Sequence, residues 1–287
     1  MVLDPQFVWN GIVVGSVISV SALGLTLIFG ILNFINIAYG DYMAAGAYIA
    51  FAVNAQMGLP LVVAVPAGVG GMAVGAVVLD RLVFEKFRTS SPVTLLIVSI
   101  GVAFFIRNLI RAIWGPSGNF YDVPIEANPT LFGVRYNVEQ VSIVVASLLI
   151  LAVVYVLLQR TRIGIAMRAA SDDRTLTRIR GVDTERLVLY VWIAGGAIAG
   201  LSGIMLGLDA QIRPNMGFTT LIPIFAATIL GGIGDPKGAV AGGFAIGIVQ
   251  EISVVVIPSE YKFAVALGAL IVGLLLRPDG LFGEATR

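Results

Sequence analysis

Neither cysteine nor histidine occurs anywhere in this chain of 287 residues. Without cysteine there is no disulfide, no thiolate nucleophile and no thiolate metal site. Without histidine there is no Ser-His-Asp triad, and the usual zinc and haem ligand sets are gone. Charge is scarce as well: 12% of residues are Asp, Glu, Lys or Arg, where soluble domains carry about 25%. So little charge cannot supply the solvated face that every soluble helix needs. The net charge of +1 gives no basic surface for nucleic acid.

Two further features are missing. Residues Met1–Asn10 lack the basic stretch and small-residue cleavage site of a signal peptide, so the first apolar segment is expected to remain as a membrane helix. No Gly-x-x-x-x-Gly-Lys-Ser/Thr loop occurs. The glycine-rich run Gly231–Gly238 holds Lys237, but no Gly-Lys-Ser/Thr step opens a helix there. Its Gly231, Gly232, Gly234 and Gly238 read as a tight turn that lets helices approach closely. The chain therefore has no ATP-hydrolysing site of its own, and no nucleophile–base or metal constellation marks an enzyme.

What is present is apolar: 58% of residues are hydrophobic. Runs of about 20 such residues, the length that crosses a bilayer core, recur along the whole chain. The reading is an all-α, polytopic transmembrane bundle in one domain over 1–287. Nine spans are expected, within a range of eight to ten, near 10–32, 36–56, 60–79, 92–113, 141–159, 187–208, 218–233, 238–257 and 262–276. Lys and Arg set the orientation. If the stretch 160–186 is cytoplasmic, most of the 18 lysines and arginines fall inside. Only Arg107, Arg111, Arg135, Arg213 and Lys262 fall outside. The N-terminus is then outside and the C-terminus in the cytoplasm.

Two segments break the pattern. Ile31–Tyr42 contains Asn33, Asn36, Gly40 and Asp41, too polar for lipid contact and too apolar for a simple loop. Phe218–Ile233 is short and runs into the glycines of 231–234. Both are expected to be broken or re-entrant helices, which survive only where protein or a water-filled cavity covers the backbone. Two loops are long enough for partners. The extracytoplasmic loop 114–140 is rich in Gly, Pro and Asn. The cytoplasmic loop 160–186 reads as one or two short amphipathic helices in which Ile163, Ile165, Met167, Leu176, Ile179 and Val182 alternate with charge.

Ionisable residues inside spans are costly and mark function by default. Asp41, Glu251, Arg107 and Arg111 are the candidates. Arg107 and Arg111 lie an i, i+4 step apart near a helix end and are expected to snorkel to the interface. Glu251 is a candidate for the pathway. Asp41 either lines a pathway or caps a helix start. No Asp/Glu/His relay for ion coupling is visible. Small residues at four-residue spacing (Gly196/Gly200, Ala199/Gly203, Gly203/Gly207, Gly71/Gly75, Gly243/Gly247) are read as close helix packing rather than a site. In loop 160–186 the acids Asp172, Asp173, Asp183 and Glu185 stand among seven arginines. A plain basic anchor needs no acids, so this mixture reads as a docking surface for a soluble protein.

Three blocks then resemble a known family. The first runs Gly24-Leu25-Thr26-Leu27-Ile28-Phe29-Gly30-Ile31, then Asn33, Asn36-Ile37-Ala38-Tyr39-Gly40-Asp41, Met43 and Gly46-Ala47-Tyr48. The second is Arg162–Val182, with its T-x-x-G…R-A…D…G-V spacing. The third is Phe225-Ala226-Ala227 through Gly231-Gly232-Ile233-Gly234 to Gly238 and Gly242-Gly243. Together they resemble the branched-chain amino-acid ABC importer permeases, and within them the smaller, LivH-type subunit. Ile37 and Tyr39 depart from the family's commoner Phe and His, and Thr177 from its frequent Ala.

The resemblance implies a permease in the plasma (inner) membrane of a prokaryote, translocating leucine, isoleucine or valine. It implies a second, LivM-like permease subunit and two cytoplasmic ATPase subunits gripping loop 160–186. An extracytoplasmic substrate-binding protein would dock on loop 114–140. This chain would bind no cofactor, ATP being used by the partner subunits. Expected to line the substrate pathway are Asn33, Asn36, Tyr39, Gly40, Asp41, Tyr48 and Glu251. Expected to couple to the ATPases are Gly164, Arg168, Asp172, Asp173, Arg178 and Gly181. The alternatives are a permease for urea, short amides or another small polar solute, or a standalone secondary transporter.

Overall fold

A computed structural model describes residues 4–124, 129–131, 134–278 and 280–282. Eleven α-helices make up most of the described chain: α1 (Pro5–Leu32), α2 (Tyr39–Phe51), α3 (Leu61–Leu82), α4 (Pro92–Trp114), α5 (Val138–Arg160), α6 (Arg162–Asp172), α7 (Arg174–Ile179), α8 (Thr184–Asp209), α9 (Met216–Gly231), α10 (Pro236–Ser253) and α11 (Lys262–Leu276). Each of the nine expected spans coincides with a helix, and α6 and α7 occupy the expected cytoplasmic loop. Six helices (α1, α3, α4, α5, α8 and the segment Ser259–Leu276) are long and apolar enough to cross a bilayer. α2 and α9 are shorter, and α10 is diluted by Lys237, Gln250 and Glu251.

Polar side chains start these helices. Asp4 caps α1 and Ser91 caps α4, each followed by a proline at the first position; Asn137 caps α5 and Asp183 caps α8. Each side-chain oxygen satisfies an amide that the helix cannot, and proline there forfeits no hydrogen bond. In a bilayer such internal satisfaction is obligatory.

The break between α1 and α2 is built by the asparagines. Asn33 sits in the left-handed region at φ 53°, and its N–H donates to the Phe29 carbonyl. Asn36 is fully buried; its Oδ1 accepts the Ala38 N–H at 3.0 Å, while the Ile37 N–H donates to Ser99 Oγ at 3.1 Å. Thus the chain leaves the helix with the amides of Asn33, Ile37 and Ala38 satisfied by protein. The segment expected to be broken near 218–233 is instead one helix, α9. The chain breaks lie on either side of it, at 210–215 and at Gly232–Gly234, where φ is 110° and 91°.

Two four-helix sets pack as an inverted repeat. α1 lies along α10 as α8 lies along α3; α2 packs on α8 as α9 packs on α1; α4 covers α2 as α11 covers α9. α1 starts at the end opposite the arginine-rich loop and α8 starts at that loop, so the two sets run in opposite directions, as in many transporter folds. α5 joins the sets and packs against α1 and α8 on the side away from α4 and α11. Glycine makes the crossings possible. A Cβ at Gly203 would collide with the Met43 backbone, and one at Gly247 would collide with Gly15. Small residues let backbones touch where lipid offers little hydrophobic drive between helices.

Candidate functional site

The centre of the bundle holds one buried ion pair. Arg107 on α4 donates from Nε to Asp41 Oδ1 at 2.9 Å and from Nη2 to Oδ2 at 2.8 Å; the Asp41 side chain is 0% exposed and that of Arg107 is 9%. The Phe218 ring of α9 stacks on the guanidinium with its centroid 4.3 Å from Cζ. One residue therefore ties α2, α4 and α9 together. The snorkelling read for Arg107 is corrected: the fork geometry of a bidentate carboxylate partner on another helix holds it inward. Asp41 does not cap α2, because no side-chain bond caps that helix at Ala38 and its carboxylate is occupied by Arg107. Its place in the first turn of α2 still suits the helix dipole.

α2 meets α9 end on end. A Cβ at Gly40 would collide with the Gly217 carbonyl, and one at Gly217 with Gly40. Tyr39, Tyr42 and Tyr48 are fully buried along α2. Their hydroxyls, with Asn36 Nδ2 and Trp192 Nε1, have no hydrogen-bond partner among the described residues. A buried hydroxyl of this kind ordinarily finds protein, water or ligand. Hence Asn36, Tyr39, Gly40, Asp41 and Tyr48 gather around α2, with Asn33 at the foot of the break. Glu251 is elsewhere: it pairs with Lys262 Nζ at 2.5 Å and pins α10 to the start of α11.

Above the ion pair, at the end opposite the arginine-rich loop, lies a cavity of about 500 Å³ lined by Arg111, Pro116, Ser117, Gly118, Arg213, Pro214 and Asn215. Arg111 stands one helical turn beyond Arg107. The chain closes this mouth by pairing Asn119 with Ile212, N–H to carbonyl in both directions at 2.9 Å. Of loop 114–140, residues 125–128 and 132–133 lie outside the described residues.

At the arginine-rich end, α6 and α7 form an elbow with different jobs for the expected coupling residues. Gly164 is buried against α5, where a Cβ would strike Leu157 and Leu158 backbone. Asp173 caps α7, accepting the Leu176 N–H at 2.9 Å. Gly181 adopts φ 83° with open space around it. Arg168 and Asp172 are exposed and line a groove against α5, and Arg178 is exposed. Ile163, Ile165, Leu176 and Ile179 are also exposed, Ile179 at 76%. Apolar side chains in a cluster on short polar helices mark a contact surface rather than a solvated loop.

Sequence reasoning missed how this elbow is wired to the bundle. Arg88, after α3, donates to Asp80 at 2.5 Å and also pairs with Glu185 at the start of α8; Glu185 in turn lies 3.7 Å from Arg174 of α7. Asp80 is almost completely buried. An acid late in a span, followed by arginine at i+8, was the available signal. The turn glycines Gly231 and Gly238 stack backbone on backbone, while Asp235 caps α10 through the N–H groups of Lys237 and Gly238. No group of three or more His, Cys, Asp or Glu side chains that could hold a metal occurs among the described residues.

Comparison with known proteins adds an independent view. A family model described as the branched-chain amino acid transport system / permease component matches residues 7–276. The permease protein BraD of Pseudomonas aeruginosa is 31% identical, covering 96% of this chain and 94% of that protein. The LivH protein of Escherichia coli K12 is 29% identical, covering 97% of this chain and 95% of that protein. Its LivM protein is 25% identical, covering 90% of this chain and 66% of that protein. All three carry names of high-affinity branched-chain amino acid transport system permeases. Among solved structures, an inward-facing putative metal-chelate type ABC transporter superposes with a TM-score of 0.51 at 15% identity, covering 95% of this chain and 85% of that one. That likeness concerns the fold.

Proposed function

The chain belongs to the branched-chain amino acid transport system permease family, and from that premise we propose how its parts divide the work of import. It is a multi-pass membrane permease subunit of an ABC importer for leucine, isoleucine and valine. The arginine-rich end faces the cytoplasm, with the N-terminus outside. α6 and α7 are the surface gripped by separate ATPase subunits, and the mouth lined by Arg111 and Arg213 faces an extracytoplasmic binding protein, whose acidic side chains would suit those cations. A second, LivM-like permease covers the exposed apolar side chains of α4 and α11 (Phe104, Phe105 and Leu109; Ile271, Val272 and Leu275).

The observation that carries this reading is the exposed apolar elbow of α6–α7, joined by Arg174–Glu185–Arg88–Asp80 to helices α3 and α8. A motor that moves the elbow thereby moves the core. The two half-length helices α2 and α9, with the Asp41–Arg107 pair between them, form the section of pathway that opens and closes. ATP binding and hydrolysis in the partners then bias two discrete packings of the bundle. The test is uptake of labelled leucine by the reconstituted assembly. Disabling the partners' ATP site should abolish uptake while this chain still co-purifies with them. Transport by the purified chain alone, down an ion gradient, would refute the reading.

A further inference from the structure

A groove of about 890 Å³ opens between α1, α5, α6 and the α9–α10 turn. Its volume falls within the roughly 300–1,000 Å³ of small-molecule sites. It lies on the α5 side of the bundle and takes no lining residue from α2, α4, α9 or α11, so no part of the proposed pathway or permease contact uses it. Its walls change character along one direction. Leu151, Val154 and Leu158 of α5, with Leu23 and Val240, make an apolar trough that leads to the arginine-rich end, where Gln159, Arg168, Ser171, Asp172, Asp235 and Lys237 line it. Leu151 to Leu158 covers about 10 Å of helix, enough for the upper part of an acyl chain.

The charges in the polar half do not balance. Arg168 and Lys237 have no carboxylate partner among the described residues. Lys237 Nζ instead lies 5.8 Å from the centroid of the Tyr155 ring. Asp235 is spoken for, because both its oxygens accept backbone N–H groups at the start of α10. Among the described residues, two cations and Asp172 remain, a net surplus of one positive charge beside an apolar trough. We propose that the groove holds one phospholipid of the cytoplasmic leaflet carrying a single net negative charge, of the phosphatidylglycerol class. Its phosphodiester sits between Arg168 and Lys237, and one acyl chain runs down the α1–α5 trough. The lipid would tie the coupling elbow to the membrane while leaving Ile163, Ile165, Leu176 and Ile179 free for the ATPases.

The inference rests on the arginine-rich end being cytoplasmic, and the experiment keeps the two apart. The purified importer complex in detergent is titrated with phosphatidylglycerol, with phosphatidylcholine of the same chains, and with glycerol phosphate, and adducts are read by native mass spectrometry. One phosphatidylglycerol per copy of this chain is expected, with phosphatidylcholine and glycerol phosphate retained much more weakly. Arg168→Gln and Lys237→Gln should each weaken retention about five-fold, the effect of one cation near an anionic lipid. Because Arg168 sits on the elbow, Leu151→Trp provides a second arm by filling the trough without touching a charge; it should also expel the lipid. Equal retention of phosphatidylcholine, binding of glycerol phosphate as strong as that of the lipid, or unchanged retention in all three variants would overturn the site. Side-directed labelling of Lys237→Cys in intact cells tests the orientation separately: labelling from outside refutes the topology, whatever the lipid result.

Discussion

Remove Arg107 and the bundle keeps a carboxylate with nowhere to go. Asp41 is fully buried and loses both of its hydrogen bonds, at 2.9 and 2.8 Å, in a single substitution. Breaking a buried pair from one side costs about 3–5 kcal/mol, because the surviving charge stays desolvated. An exposed pair would register only about 0.2–1 kcal/mol. The double replacement Asp41→Asn with Arg107→Gln removes both charges at once and keeps two neutral side chains of similar size. It should therefore recover most of the loss, giving a coupling of about 2 kcal/mol or more in a double-mutant cycle. Denaturant midpoints of the purified complex and abundance in the membrane provide the stability readout. Uptake provides the functional one: Asp41→Ala should lower leucine transport while ATPase co-purification persists. If the two single losses add without coupling, the pair is not the lock between α2 and α4. If uptake in Asp41→Ala is normal, Asp41 is not part of the pathway.

Other outcomes follow from the same geometry. Charge reversal at Asp172 and Asp173 should uncouple ATP hydrolysis from uptake with the protein still inserted; part of the effect at Asp173 is loss of the α7 cap, about 1 kcal/mol, which Asp173→Asn would spare. Gly181→Val, forced to φ 83°, should strain the elbow by about 1–2 kcal/mol and raise futile ATPase activity, and normal coupling would remove Gly181 from the coupling surface. Arg88→Ala leaves Asp80 buried without its cation and Glu185 with Arg174 alone, so abundance and coupling should both fall, with Arg88→Lys recovering part; an unchanged ATPase-to-uptake ratio would deny the wire. Gly203→Val should prevent α8 from seating on Met43 and abolish membrane accumulation, whereas Gly70→Ala, with open space around it, should be neutral.

The order of the helices and the break between α1 and α2 were legible because each follows from local chemistry. Apolar runs end at Pro, Gly, Asn or charge, and Asn33 and Asn36 announced a gap between α1 and α2 that they themselves go on to stabilise. Misread was what depends on distant partners. Arg107 looked like an interfacial arginine from its position near a helix end, and only Asp41, far away in sequence, draws it inward. Glu251 looked like a pathway acid, yet Lys262 claims it. Gly164 and Asp173 were read for coupling alone, and the fold adds local tasks, packing against α5 for Gly164 and capping of α7 for Asp173.

The inverted repeat was not read from the sequence: it shows in which helix packs on which, with the two sets running in opposite directions. Composition alone decided that the chain must live in a bilayer, since too little charge remains to solvate its helices. It also excluded any thiolate or imidazole metal ligand, since neither cysteine nor histidine occurs. Which small residue faces which backbone, which acid meets which base, and where an apolar trough meets two unpaired cations were decided only by the tertiary packing. Those relations join residues tens to hundreds of positions apart, and the period of a helix fixes a face without naming the partner that covers it.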